Sequence, residues 1–208
     1  MTPKEPHNPS HEPTVRAFCC EMPADGDHDV LALLRRRDPR GFDLAYARYG
    51  ARLFGFLVRL ARSRALAEDL FQHTFLRLSE VGPSLRADSD LRAWLFSVAR
   101  NAFHSQTRAL QVVARADAAL LPAPCAVGIE PEASLALNEL ERALLGLNAG
   151  DRELLLLVGV EGLDYPEVAE ILGIDAVAVR KRVSRARERL AQALDAQTGI
   201  MSKSAVRK

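Results

Sequence analysis

Between His28 and about Ala109, apolar residues return at steps of three and four, the spacing that lays a stripe along an α-helix. The first stripe takes in Phe42, Ala45, Tyr46, Tyr49, Leu53, Phe56, Leu57 and Leu60 and predicts one helix or a pair. A cleaner one, through Ala67, Leu70, Phe71, Thr74, Phe75 and Leu78, is stopped by Gly82 and Pro83. A third follows the capping cluster Asp88, Ser89 and Asp90 and runs through Leu91, Trp94, Leu95, Val98 and Ala102. Its phase assigns Trp94 to the core rather than to a stacking site.

These stripes predict a helical domain over residues 28–109, preceded by a Pro- and His-rich tail (1–27) with no periodicity. Residues 110–133, broken by Pro122, Pro124, Gly128 and Pro131, read as a flexible linker. A second small domain is expected over 134–195. It opens with a helical face of Leu137, Leu140, Leu144 and Leu147, an interruption at Asn148 to Gly150, and a short buried helix from Asp151 to Val158. A basic C-terminal tail, 196–208, completes the chain. No period-two alternation of useful length occurs, so the fold class is all-α: two small helical domains joined by a flexible linker.

The most specific local signal lies between Asp164 and Leu190. Asp164 and Glu167 form a capping box, Pro166 sits in the first turn where a missing N–H costs little, and Val168, Ala169 and Leu172 supply a buried face. Gly173 ends this helix, and Asp175 caps the next. That is the pattern of a helix-turn-helix. In the second helix Val179, Val183, Ala186 and Leu190 face inward, leaving Val177, Ala178, Arg180, Lys181, Ser184, Arg185 and Arg187 toward a partner. Residues 176–190 hold six bases against one acid, a net of +5 in a chain whose total is +1. Such a helix suits a DNA major groove, where short residues near its start reach base edges and arginines hold phosphates.

The balance of 28 basic and 27 acidic residues is therefore uninformative until the charges are located, and 48% hydrophobic content suffices for packed cores. The longest apolar runs, Leu53 to Val58 and Leu154 to Val160, fall far short of the ~20 residues that span a bilayer, so no membrane insertion is expected. Pro3, Glu5, Pro6, Pro9 and Pro13 stand where a signal peptide would need an apolar stretch, and the chain reads as cytoplasmic. Three cysteines, Cys19 and Cys20 adjacent and Cys125 remote, are expected as thiols.

Three stretches in order resemble the extracytoplasmic-function (ECF) group of bacterial sigma factors, over about Asp29 to Leu194. "AEDLFQHTFLRL" looks like the helix of region two that binds core RNA polymerase; "LRAWLFSVARNAFHSQTR" looks like the helix that melts and reads the minus-ten promoter element; "DYPEVAEILGI" with "VAVRKRVSRARERL" looks like region four, the reader of the minus-thirty-five element. The resemblance implies a transcription initiation factor with core RNA polymerase, promoter DNA and an anti-sigma factor as partners. It implies that Asp69, Gln72, His73 and Leu76 dock the polymerase. Arg100, Asn101, His104, Thr107 and Arg108 would hold the minus-ten strand, with Asn101 on a flipped base. The family usually carries acids where this chain has His73 and Ser105.

Other readings are a stand-alone helix-turn-helix dimer, which leaves the first domain without purpose, and a metal or redox sensor built from His7, His11, Cys19 and Cys20, whose spacing is not that of a structural zinc site. No Gly-rich phosphate loop, nucleophile elbow or His-Glu metal motif is present. No catalytic residue, cofactor, metal or small-molecule substrate is therefore expected, and catalysis would belong to the polymerase.

Overall fold

The computed structural model describes residues 27–116 and 135–205, with side chains described within 27–110 and 137–196. The N-terminal tail with His7, His11, Cys19 and Cys20 lies outside the described residues, as do residues 117–133 of the expected linker, with Cys125 among them, and residue 134.

Among the described residues eight α-helices follow one another: α1 (Asp27–Arg35), α2 (Pro39–Ala61), α3 (Arg64–Val81), α4 (Leu91–Ala116), α5 (Leu135–Gly146), α6 (Ala149–Leu155), α7 (Tyr165–Leu172) and α8 (Ala176–Ala205). Among the described residues there is no strand. A 3₁₀ turn over Gly82–Ser84 follows α3, and a π turn over Leu156–Val160 follows α6.

Each boundary has a local cause. Asp38 accepts from the Arg40 N–H at 3.0 Å, and Pro39 stands in the first turn of α2. Ser63 accepts from the Leu66 N–H at 3.3 Å to start α3. Of the cluster expected before α4, Asp90 does the capping, its Oδ1 accepting from the Ala93 N–H at 2.8 Å. Gly41 allows α1 to cross α2 closely: a Cβ there would lie 2.7 Å from the Leu34 backbone nitrogen. The Tyr49 hydroxyl also ties α2 to the start of α1 by donating to Asp27, and burial first, then that carboxylate, pushes the phenol up from its ordinary value.

Helices α1 to α4 enclose a core of Leu31, Leu53, Phe56, Leu57, Leu60 and Leu95 with their neighbours; the Phe56 and Phe96 rings meet edge to face at 5.1 Å. The stripe expected along α2 belongs to one continuous helix, with Tyr46 turned out to 52% exposure. In α4 the expected phase is off: Leu91 and Leu95 are buried as read, but Phe96, Ala99 and Phe103 complete the core face while Trp94, Val98 and Ala102 are half-buried. The physical reason is that α4 is covered on two sides, by α2 and α3 on one and by α7 on the other. In α5, Ala143 and Leu144 are buried, as is Leu147 just past its end, whereas Leu137 and Leu140, read as part of the same helical face, are 53% and 41% exposed.

Two expected boundaries fall inside helices. Helix α4 runs to Ala116, past the linker start expected at 110, and α8 runs to Ala205, through most of the expected tail from 196.

Candidate functional site

Helix α7 begins with the expected capping box. Asp164 Oδ1 accepts from the Glu167 N–H at 2.7 Å, and Glu167 Oε2 accepts from the Asp164 N–H at 2.6 Å. Gly173 closes the helix at φ +65°, a left-handed conformation that side chains disfavour, and Asp175 accepts from the Ala178 N–H at 2.7 Å to start α8. Val179, Val183 and Ala186 are buried and Leu190 is half-buried, so the phase read for this helix holds. Val177, Arg180, Lys181, Ser184, Arg185 and Arg187 are exposed and Ala178 is half-exposed. Arg180 lies 6.0 Å from the centre of the Tyr165 ring, Ser184 Oγ donates to Glu188 at 3.3 Å, and Arg189 pairs with Asp151 at 2.6 Å.

On α3, Asp69, Gln72, His73 and Leu76 all face outward, and Leu76 is 63% exposed. Gln72 and Leu76 border a groove of about 780 Å³ between α2 and α3, walled by Phe42, Tyr46, Phe54, Phe71 and Phe75. The rings interlock edge to face and tilted, Phe71 meeting Phe75 at 4.8 Å and Tyr46 at 5.7 Å. Periodicity placed Phe71, Phe75 and Tyr46 in a core stripe and so missed the groove. The surplus of aromatics on one side of both helices is the signal that could have found it.

On α4 the expected residues sit together, but two are engaged. Glu153 of α6, only 3% exposed, reaches across so that Arg100 Nε donates to its Oε1 at 2.5 Å, and His104 Nε2 lies 2.9 Å from its Oε2. Arg100 also donates to Asn101 Oδ1 at 3.2 Å. Asn101 and Arg108 are exposed and Thr107 is half-buried; the Thr107 hydroxyl donates to the Phe103 carbonyl at 2.8 Å, and Arg108 Nε donates to the His104 carbonyl at 3.1 Å. The open face expected on α4 is thus partly covered by the second helical unit.

That contact belongs to a longer seam. Arg52 pairs with Glu161 at 3.1 Å, Arg59 with Glu141 at 3.2 Å and Arg92 with Glu167 at 2.7 Å. In all these pairs the base comes from α2 or α4 and the acid from the unit α5 to α7. Burial pulls the Arg92 guanidinium down, yet the bond and charge of Glu167 with nearby anions leave it raised overall. Residues 137–175 carry nine acids against two bases, a net of −7 that the whole-chain total conceals. Arg152, 5% exposed, is one of those two bases: it donates to the Leu147 carbonyl at 3.1 Å and reaches the Arg59 carbonyl at 3.5 Å, capping the C-terminal ends of α5 and α2. Burial, with Arg62 nearby, pushes its guanidinium down to about 10, so it stays charged near neutrality.

The chain matches known families in both units. Residues 45–112 match the family described as Sigma-70 region 2, and residues 137–190 match Sigma-70, region 4. It is 34% identical over 157 residues to the RNA polymerase sigma factor CarQ of Myxococcus xanthus, covering 74% of this chain and 88% of CarQ. It is 34% identical over 145 residues to the ECF RNA polymerase sigma factor EcfG of Rhodopseudomonas palustris (strain TIE-1), covering 68% and 78%. The chain belongs to the ECF sigma factors of the sigma-70 family. Like them it is a transcription initiation factor that directs core RNA polymerase to promoters. Among solved structures it resembles the sigma factor RpoE in complex with the anti-sigma factor NepR from Bartonella quintana, with a TM-score of 0.68 at 32% identity, covering 74% of this chain and 96% of that one. No described helix of this sigma factor is long and apolar enough to cross a membrane, and no described group of His, Cys, Asp and Glu could hold a metal ion.

Proposed function

We propose that the sigma factor divides its work among three faces. The outward side of α3, Asp69, Gln72, His73 and Leu76, docks on core RNA polymerase, with the aromatic groove beside Leu76 extending the contact. Arg100, Asn101, His104, Thr107 and Arg108 of α4 hold the melted minus-ten strand, cations tracking phosphates and Asn101 engaging a base that has left the stack. Val177, Ala178, Arg180, Lys181, Ser184, Arg185 and Arg187 of α8 meet the minus-thirty-five duplex. The observation that carries this reading is the capped α7, left-handed Gly173 and exposed basic α8 in succession, the geometry with which a recognition helix enters a major groove.

In this reading residues 28–109 and 134–195 are the two domains, the factor acts in the cytoplasm beside the polymerase, and bond formation is the polymerase's own. An anti-sigma partner is supported by the structural relative RpoE, whose solved form is a complex with NepR. The deciding experiment is transcription in vitro with purified core polymerase and genomic fragments. Specific transcripts absent with core alone are expected, and Asn101→Ala should then reduce permanganate reactivity of the melted thymines more than it reduces duplex binding. No transcripts above core alone would overturn the reading.

A further inference from the structure

Helix α1 ends in three successive arginines, Arg35, Arg36 and Arg37, all exposed. The acids around them are already held by other bases: Asp27 and Asp29 by Arg48 at 3.2 and 3.8 Å, Asp38 by Arg40 at 2.6 Å and Asp88 by Arg86 at 2.9 Å. Among the described residues no side chain bonds or pairs with the three guanidiniums. Arg36 lends Asp38 only a through-space field, for that carboxyl is held below its ordinary value first by the Arg40 bond and last by Arg36. The helix dipole favours a cation in the last turn of α1, but it gives no reason for three in a row.

The third arginine stands where the backbone favours a different residue. Its φ is +58°, and the turn is closed by the Arg37 N–H donating to the Leu34 carbonyl at 2.9 Å and the Asp38 N–H to the Leu33 carbonyl at 3.0 Å. This is the left-handed helix ending that ordinarily takes glycine. An arginine here costs the fold something, which points to a role for its side chain outside the fold.

His28, Ala32, Arg35 and Arg36 share one face of α1 and wall a cleft of about 410 Å³, closed on its other side by Pro83 and Ala87. Those two residues belong to the loop that runs into the Asp90 cap of α4. The cleft shares no residue with the aromatic groove of α2 and α3. From Leu91 at the start of α4 to Asn101 is about 15 Å along the helix at 1.5 Å per residue. A strand that passes Asn101 and follows α4 toward its start therefore reaches the cleft within on the order of four nucleotides, at about 3.4 Å each. Guanidiniums free of carboxylates meet phosphates through paired N–H donors, and such contacts position a strand without reading it.

We propose that Arg35, Arg36 and Arg37, with His28, form a phosphate-holding site that carries the melted minus-ten strand on beyond the bases engaged by α4. The inference rests on α4 being the minus-ten reader. The site supplies affinity and salt dependence rather than base preference.

The test uses holoenzyme reconstituted with saturating core polymerase, and fluorescent single strands carrying the minus-ten sequence of a promoter found by transcription in vitro. One strand stops at the element, and the other runs on by about five nucleotides at each end, enough to cover the distance along α4. Arg37→Gly, the triple variant Arg35→Gln with Arg36→Gln and Arg37→Gly, and Asn101→Ala are compared with the parent. Arg37→Gly should melt no lower than the parent, since glycine suits the left-handed turn, and yet bind the long strand about twofold or more weaker. The triple variant should bind the long strand about tenfold or more weaker, lower its salt slope by about two, at roughly 0.7 for each lost phosphate contact, and bind the short strand like the parent. Asn101→Ala should weaken both strands. Parental affinity and salt slope of the triple variant for the long strand, with Asn101→Ala still weakened, would overturn the inference and leave the minus-ten reading standing. If the triple variant instead loses affinity for core polymerase while strand binding at saturating core stays parental, the arginines meet an acidic protein surface and the inference falls. If Asn101→Ala binds both strands like the parent, the minus-ten reading falls and the inference falls with it.

Discussion

Arg52 of α2 holds Glu161 twice, its Nε donating to the carboxylate at 3.1 Å and its Nη2 to the Glu161 main-chain carbonyl at 2.8 Å. The acid is 3% exposed. Burial raises its carboxyl above the ordinary value of 4.5, and Arg52, with Arg59 and Arg92 further off, restores only part of that cost. The desolvation of a buried carboxylate offsets much of what its ion pair contributes to stability.

The pH dependence follows. Because the folded-state value lies above the unfolded one, the protonated acid is the form the fold favours; its contribution is complete below 4.5 and is lost as pH rises through the raised folded value. Glu161→Gln, which mimics the protonated form, should therefore melt higher than the parent at about pH 7.5, and the gap should close on acidification to about pH 4.5. Thermal melts across that range check it; a Gln variant less stable at neutral pH would mean that attraction to Arg52 outweighs burial.

Docking on the polymerase should depend on side chains that the fold does not need. Asp69 and Gln72 are exposed, so Asp69→Lys with Gln72→Ala should keep the parent's helicity while weakening association with core polymerase by about tenfold or more. Leu76→Ala, at the lip of the aromatic groove, should weaken it separately. Pull-down of core at parental efficiency by both variants would remove α3 from the docking face.

Base reading and phosphate holding on α8 should separate. Lys181, Ser184 and Arg185 are exposed opposite the buried Val179, Val183 and Ala186. Loss of a good base contact at Arg185→Ala should cost about 1–3 kcal/mol and relax preference at one promoter position, whereas Arg187→Ala should weaken all sequences alike and lower the salt slope by about one. Selection of minus-thirty-five sequences with each variant over a salt series decides between them, and an exchange of the two behaviours would mean that the helix is rotated relative to the groove.

Removal of the α7 cap should be felt through the whole helix-turn-helix. Asp164→Ala loses the acceptor for the Glu167 N–H while keeping the backbone N–H that donates to the Glu167 carboxylate, a loss of about 0.5–2 kcal/mol in unfolding free energy. Chemical denaturation should report it, and binding to a minus-thirty-five duplex should weaken in step.

The caps at Asp164 and Asp175, the left-handed turn at Gly173 and the phase of α8 were legible because each is decided within a few residues of itself. The phase of α4 was not. Its apolar residues form an arc wide enough to serve α2, α3 and α7 together, and choosing Trp94, Val98 and Ala102 over Phe96, Ala99 and Phe103 required knowing where the second domain packs. The same ignorance hid the partner of Arg100: Glu153 lies 53 positions along the chain, and no local pattern joins the two. The helical spacing of Leu137 and Leu140 agrees with α5, but spacing alone does not say how far a helix face stays covered.

The run of nine acids against two bases before α8, followed at once by a net of +5 within it, makes region 4 a strongly polarised body whose two sides a single net charge would never reveal. In the field of a polyanion such a body experiences a torque before it makes any contact: the acidic side is turned away and α8 is turned toward the duplex. Encounters would then arrive already oriented, raising the productive fraction of collisions at low ionic strength and losing that advantage as salt shortens the field to a Debye length of about 8 Å near 0.15 M.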